Sequence, residues 1–349
     1  MLKYPFPPMH FKRAGGWLLH SGIQNPDGGV SRYRSISDNR NLAVSTEITG
    51  YTASAYAWLY KRTREQPYLD AAVRTARFLA DTAWNAQLET FPFECSPGSP
   101  GYFFDCGITI RGLLAVHRLT GEQRLREIAL ACGHSMARDY LTQGAIHPIV
   151  SLPDRKPWPY EKRWSREPGC FQLKSALAWR DLSLTGPWEQ ALSMALDNYT
   201  SFLPGTLEED ALMDRLHAYC YFMEALLAEP SRPECAEALR ISIPRVSGYL
   251  RAIEGRFARA DVYAQLLRVR LLADRHGILR VDRRAVEDES RVIAKYQYPP
   301  GDPALEGGFC FGSRQGAMLP YVNPVSTVIC AQALDMFRNG MEPKLEDLI

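Results

Sequence analysis

Glu47 and Asp105 are the two residues of this 349-residue chain best placed by type and context to move protons. Each opens a helical pattern that is almost free of charge: Thr46-Glu47-Ile48-Thr49-Gly50-Tyr51 in one case, Phe104-Asp105-Cys106-Gly107 in the other. A carboxylate in the first turn of a helix accepts from free backbone N–H groups and is favoured by the helix dipole, so capping with a depressed pKa is the plainer expectation. If the two face a cavity instead, they form an acid and base pair, with Tyr51 one turn beyond Glu47. Asp214 and His217 are a third group, three residues apart and so on one helical face. Either the carboxylate orients the imidazole, or both face a ligand, or Asp214 is an N-cap and His217 a satisfied buried side chain.

Three loop segments add binding chemistry. Residues 156–167 carry Trp158, Tyr160, Arg163 and Trp164, and residues 27–34 carry Arg32 and Tyr33. Flat aromatic faces beside cations suit stacking on pyranose rings and gripping an acidic sugar, although a loop that simply packs a Trp over the fold has the same composition. The glycine-rich stretch 307–324 adds Arg314, Tyr321 and Asn323, which contact substrate or fix the loop. It lacks the GxGxxG context of a nucleotide site, and no P-loop, HExxH, CxxC or GxSxG occurs in the chain. The His residues have no metal-ligand spacing. No metal and no cofactor are expected.

The elements that would position these residues repeat. A nearly uncharged helical stretch, a short turn and a charged amphipathic stretch recur at 47–84 and 105–140, and more loosely at 170–203, 217–250 and 261–293. The first half of each unit is apolar nearly all round and should be buried, whereas the second carries its charges on one side, as Asp70, Arg74, Arg77 and Asp81 do. Residues 9–23 read as an outer helix and 324–337 as an inner one, so the chain's first and last elements can pair and make a sixth unit. The expectation is an all-α double ring, an (α/α)6 toroid formed by one domain over residues 1–349. Parallel inner helices would then gather the long segments 25–46, 85–102, 146–169, 204–215 and 296–323 at one mouth, where function should lie.

Composition sets the outer limits. With 41 Lys and Arg against 39 Asp and Glu, the net charge of +2 gives no electrostatic reason to expect nucleic acid. The chain's start lacks the apolar core of a secretory signal and no apolar run is long enough to span a membrane, so a cytoplasmic protein is expected, with no membrane partner. The eight cysteines are scattered and read as small buried residues rather than a disulfide framework.

The six-hairpin pattern, with Thr46-Glu47-Ile48-Thr49-Gly50-Tyr51 and Phe104-Asp105-Cys106-Gly107 opening inner helices, resembles the six-hairpin glycosidase superfamily. Within it, the Asp105 motif is similar to the Asp-x-Gly element of unsaturated glucuronyl hydrolases, where an aspartate acts as general acid and base. The resemblance implies a carbohydrate-active enzyme on an oligosaccharide or polysaccharide, with a glycoside hydrolase first, uronic-acid-containing chains being one option for its substrate. A polysaccharide lyase or sugar epimerase, using Tyr160, Tyr219 or His217 beside an Arg, is the alternative, and a non-catalytic glycan-binding protein is the third. Hydrolysis needs two carboxyl groups, about 5 Å apart for retention or roughly 6.5–9.5 Å for inversion. Asp105 is expected to be the acid, and Glu47 or Asp214 the base.

Overall fold

The computed structural model describes residues 10–203, 209–341 and 343–349. Among them are twelve α-helices: α1 (His10–His20), α2 (Thr46–Thr63), α3 (Gln66–Phe78), α4 (Phe103–Thr120), α5 (Gln123–Asp139), α6 (Leu173–Asp181), α7 (Thr185–Phe202), α8 (Glu209–Leu226), α9 (Pro233–Ala252), α10 (Ala260–Arg275), α11 (Arg283–Ala294) and α12 (Pro324–Asn339). The even-numbered helices form the inner ring. Each packs on the next, and α12 returns to α2 and closes the circle. Helices α3, α5, α7, α9 and α11 lie outside their preceding inner partners, and α1 covers α12, the terminal pairing expected from the sequence. The protein is an (α/α)6 toroid.

Periodicity explains which helix goes where. In α3, Tyr68, Ala71, Ala72, Thr75 and Ala76 are buried while Asp70, Arg74 and Arg77 are exposed, a single apolar stripe. In α2 every residue from Ile48 to Leu59 except Ser54 is buried, because neighbours press on all sides. The inner ring is tight where glycines allow it. A Cβ on Gly107 would lie 2.0 Å from Ser175 Oγ and 2.3 Å from Ser175 O, so only glycine lets α6 abut the first turns of α4. Ser175 Oγ uses that closeness to donate to Phe103 O and Phe104 O at 2.9 and 2.8 Å, which fixes the turn that carries Asp105.

Among the described residues ten short strands decorate the ring: β1 (Arg34–Ser35), β2 (Arg40–Asn41), β3 (Gly101–Tyr102), β4 (Leu141–Thr142), β5 (Ala145–Ile146), β6 (Ile149–Val150), β7 (Phe257–Arg259), β8 (Gly312–Arg314), β9 (Ala317–Met318) and β10 (Tyr321–Val322). Most belong to the segments that enter inner helices. The antiparallel pairs β1–β10, β3–β6 and β7–β8 stitch those segments to one another at the mouth. The expected long segment 204–215 is shorter than the sequence suggests, since α8 begins at Glu209, and residues 204–208 lie outside the described ones.

The opposite end is sealed. Lys174 and Arg268 share the Glu224 carboxylate, all three with no exposed surface, and Lys174 Nζ also donates to Ile349 O at 3.3 Å. Arg111 donates to Leu345 O and Leu348 O, Gln332 donates to Asp347 O, and Leu348 and Ile349 are buried. Inner helix α10 thus carries buried cations that the uncharged-inner-helix pattern does not foresee. Seven of the eight cysteines are buried and all eight are free, with Cys95 exposed. No described helix is long and apolar enough to cross a membrane.

Candidate active site

Helix starts bring the carboxyl groups to the mouth. At α2 the N-cap is Ser45, whose hydroxyl accepts from Ile48 N–H, which leaves Glu47 free of capping duty. At α4 the N-cap is Tyr102, with no side-chain cap, and Asp105 is buried with Oδ2 lacking any hydrogen-bond partner. The capping alternative therefore fails for both residues. They line a single cavity of ≈ 370 Å³ together with Arg32, Phe93, Tyr102, Phe104, Pro148, Arg163, Trp164, Ser165, Arg166, Phe171 and Gln172.

Electrostatics follow from that setting. Burial pushes the Asp105 carboxyl well above the usual carboxylate range, the nearby Glu47 charge pushes it further, and Arg32 pulls the other way. Burial likewise raises Glu47 to about 7 against the pull of Arg32. Arg32 cannot neutralise both, because its guanidinium is engaged by Glu94 at 2.8 Å and stacks 4.7 Å from the Phe93 ring centre. Two carboxyl groups that raise each other's proton affinity in one cavity do not readily ionise together.

A second group stands across the mouth on α8 and α10. His217 is buried, its Nδ1 lies 2.9 Å from Gln265 Oε1 and 3.7 Å from Asp261 Oδ2, and its ring meets Tyr221 edge-on at 4.5 Å. An amide oxygen at that place accepts from the tautomer protonated at Nδ1. Burial lowers the His217 pKa to about 4 and Arg259 adds to this, so the ring is neutral at physiological pH. Arg259 forms a two-pronged pair with Asp261 at 3.1 and 2.8 Å, and that cation holds Asp261 below the usual carboxylate range despite its burial.

Several expectations need correction. Asp214 does not orient His217: it is half exposed and bonded to Arg259 at 3.1 Å, while Gln265 and Asp261 from the neighbouring helix face the imidazole. Asp214 is not among the residues that line the cavity with Glu47 and Asp105. Tyr219 points outward, its hydroxyl 2.9 Å from Ser242 on α9, and the inward residue is Tyr221, which packs on Phe104 and His217. Trp158 and Tyr160 lie away from the cavity, with the exposed Tyr160 hydroxyl bonded to His147 at 2.7 Å. Arg314 of β8 lies over the Phe257 ring of β7, also outside the cavity.

Arg32, Arg163 and Trp164 do line the cavity, and Tyr51 is buried beneath Glu47 beside Tyr221. Tyr33 and Tyr321 meet at a 48° tilt with ring centres 5.4 Å apart, and neither lines the cavity. Gln265, Asp261 and Arg259 have no local signature in the sequence. The one available signal is that α10 opens on a carboxylate, as α2 and α4 do. Among the described residues no group of three His, Cys, Asp or Glu side chains is arranged to hold a metal ion.

This ring of six hairpins with its loop-built mouth is the fold of the six-hairpin glycosidase-like proteins. A sugar epimerase from a ruminal bacterium superposes with a TM-score of 0.71 at 11% identity over 96% of this chain and 100% of that one. Cellobiose 2-epimerase from Spirochaeta thermophila gives 0.71 at 14% identity over 95% of both chains. Unsaturated glucuronyl hydrolase from Bacillus sp. GL1 gives 0.65 at 13% identity over 95% and 97%. No protein-family model matches the sequence, and no curated protein matches it. At such identities the likeness is one of fold.

Proposed function

We propose that the protein is a carbohydrate-active enzyme, a glycoside hydrolase in which Asp105 is the general acid and Glu47 the base. The observation that carries this is the pair of carboxyl groups in one cavity, neither tied to a cap or an ion pair, both with raised proton affinity. Asp105 would hold its proton at neutral pH and give it to the departing glycosidic oxygen. Glu47, near 7, would ionise in time to attack or to activate water. Trp164 offers a flat face for a sugar ring, and Arg32, Arg163 and Arg166 favour a substrate that carries a carboxylate. That several proteins of the same fold are named for work on sugars supports the general class.

A second reading, epimerisation, is favoured by His217, a buried neutral imidazole near Arg259. One experiment separates the two. Purified protein is incubated with neutral, uronate-containing and unsaturated oligosaccharides in deuterated water. Hydrolysis creates a new reducing end and is lost in Asp105→Asn, whereas epimerisation leaves mass unchanged except for deuterium gained at carbon and is lost in His217→Gln. Turnover unaffected by Asp105→Asn would overturn the carboxylate assignment.

A further inference from the structure

We infer that the groove between the outer helices α9 and α11, on the flank of the ring, is a second binding site, for a small hydroxylated anion, either a sugar acid or a sugar phosphate. The inner helix α10 packs against both and forms its floor. The groove holds ≈ 450 Å³, against ≈ 370 Å³ for the cavity at the mouth, and falls in the range of small-molecule sites. The two share no lining residue, so this site goes beyond the chemistry proposed for Asp105 and Glu47. Leu250, Leu266 and Val292 give it an apolar base, and charged side chains of α9 and α11 stand around it.

Glu289 makes the first demand on a ligand. It lines the groove yet is only 6% exposed, Arg270 Nε donates to its Oε1 at 2.8 Å, and Oε2 has no hydrogen-bond partner. A buried carboxylate oxygen without a donor has given up its hydration and received nothing in return. Burial accordingly raises the proton affinity of Glu289, to about 7, against the pull of Arg270. A ligand hydroxyl supplies the missing donor. An ammonium group or a metal ion suits the place less well, because either would stand against Arg270 on the same carboxyl group.

The cations of the groove make the second demand. Asp288 holds Arg291 at 2.8 Å and Arg284 at 3.9 Å, so those charges are matched. Arg251 and Lys295 are not. Both are exposed, Arg251 donates to Ser247 Oγ at 2.8 Å, and among the described residues neither has a carboxylate within ion-pair distance. Glu254, also on the groove, lacks an ion pair as well, which leaves two unmatched cations against one unmatched acid. An anionic group on the ligand meets Arg251 and Lys295 while its hydroxyl meets Glu289. Sulfate, which has no hydrogen to donate, answers only the cations, and a neutral sugar answers only Glu289.

The test is calorimetry on the intact protein with glucuronate, glucose 6-phosphate, glucose and sulfate. It is run on the parent, on the double variant Arg251→Ala with Lys295→Ala, and on Arg163→Ala, which removes a cation of the mouth cavity. Arg251 and Lys295 are exposed, so their replacement spares the fold, and melting curves check this. The expected result is that glucuronate, glucose 6-phosphate or both bind at least about tenfold more tightly than glucose and sulfate. The double variant should lose about tenfold in that affinity and Arg163→Ala none; where the mouth also takes the acid, the double variant removes one of two binding events. No binding of either acid at millimolar concentration, or glucose or sulfate bound as tightly, would overturn the inference and leave the carbohydrate reading untouched. Binding lost in Arg163→Ala but kept in the double variant would overturn it too, and would count in favour of an acidic sugar at the mouth.

Discussion

Asp105 and Glu47 owe their raised proton affinity to burial with a shortage of partners. A first-turn carboxylate that caps its helix ionises readily, whereas these two hold protons because Ser45 caps α2 and nothing polar meets Asp105 Oδ2. Asp105→Asn should remove turnover while shifting the melting temperature by no more than a few degrees. A large fall in melting temperature with activity retained would instead assign the residue to the fold. Linkage gives a second prediction. The folded-state pKa of Glu47, about 7, is above its unfolded value, so its contribution to stability is fully present below the unfolded pKa and is lost as pH rises through the folded one. Glu47→Gln should therefore gain stability relative to the parent protein between pH 5 and pH 8, and melting curves for both proteins at these two pH values check the sign. The acid limb of His217, at about 4, predicts that any role it has as a base persists down to mildly acidic pH.

At the scale of elements, helix rotation decides which residues face the axis. Tyr219 and Tyr221 lie two residues apart in an apolar run, and sequence offers no means to choose between them. Packing turns Tyr219 onto Ser242 of α9 and Tyr221 onto Phe104 and His217. The Asp214 and His217 pairing goes astray for a related reason. Spacing along one helix is legible, but the groups facing His217 come from α10, which only the ring brings near. The hairpin pattern itself is readable because an inner helix enclosed on all sides must be apolar nearly all round, while an outer helix needs only a stripe. Gly107 is the contact on which the positioning of Asp105 depends. Gly107→Ala should cost on the order of 1–3 kcal/mol by overpacking Ser175, and should weaken activity as well, because the Phe103 and Phe104 carbonyls lose their donor when α6 is pushed away. Chemical denaturation beside a turnover assay measures both effects.

Across the whole molecule, one end of the ring opens into a cavity and the other is closed. Lys174, Glu224 and Arg268 are fully buried, so their charges are tolerable only as a set. Glu224→Gln should leave two cations poorly matched and cost about 3–5 kcal/mol, measured by chemical denaturation. A cost below about 1 kcal/mol would mean that water reaches the closed end. The rim has the opposite character, with its segments joined by strand pairs, a few ion pairs and single hydrogen bonds.

The alternation of uncharged and amphipathic stretches, the pairing of the first helix with the last, and the placing of Glu47 and Asp105 at helix starts were all determined by the sequence alone. Each depends on local periodicity and on the order of elements along the chain. Only the tertiary structure decided that these carboxyls are not spent as caps, that Asp214 turns away to Arg259, that Tyr221 rather than Tyr219 faces inward, and that the segment before α2 pairs with the one before α12. Those outcomes depend on contacts between residues up to about 290 positions apart, as where β1 meets β10. Burial and neighbouring charge then set the proton affinities, and both are properties of the assembled ring.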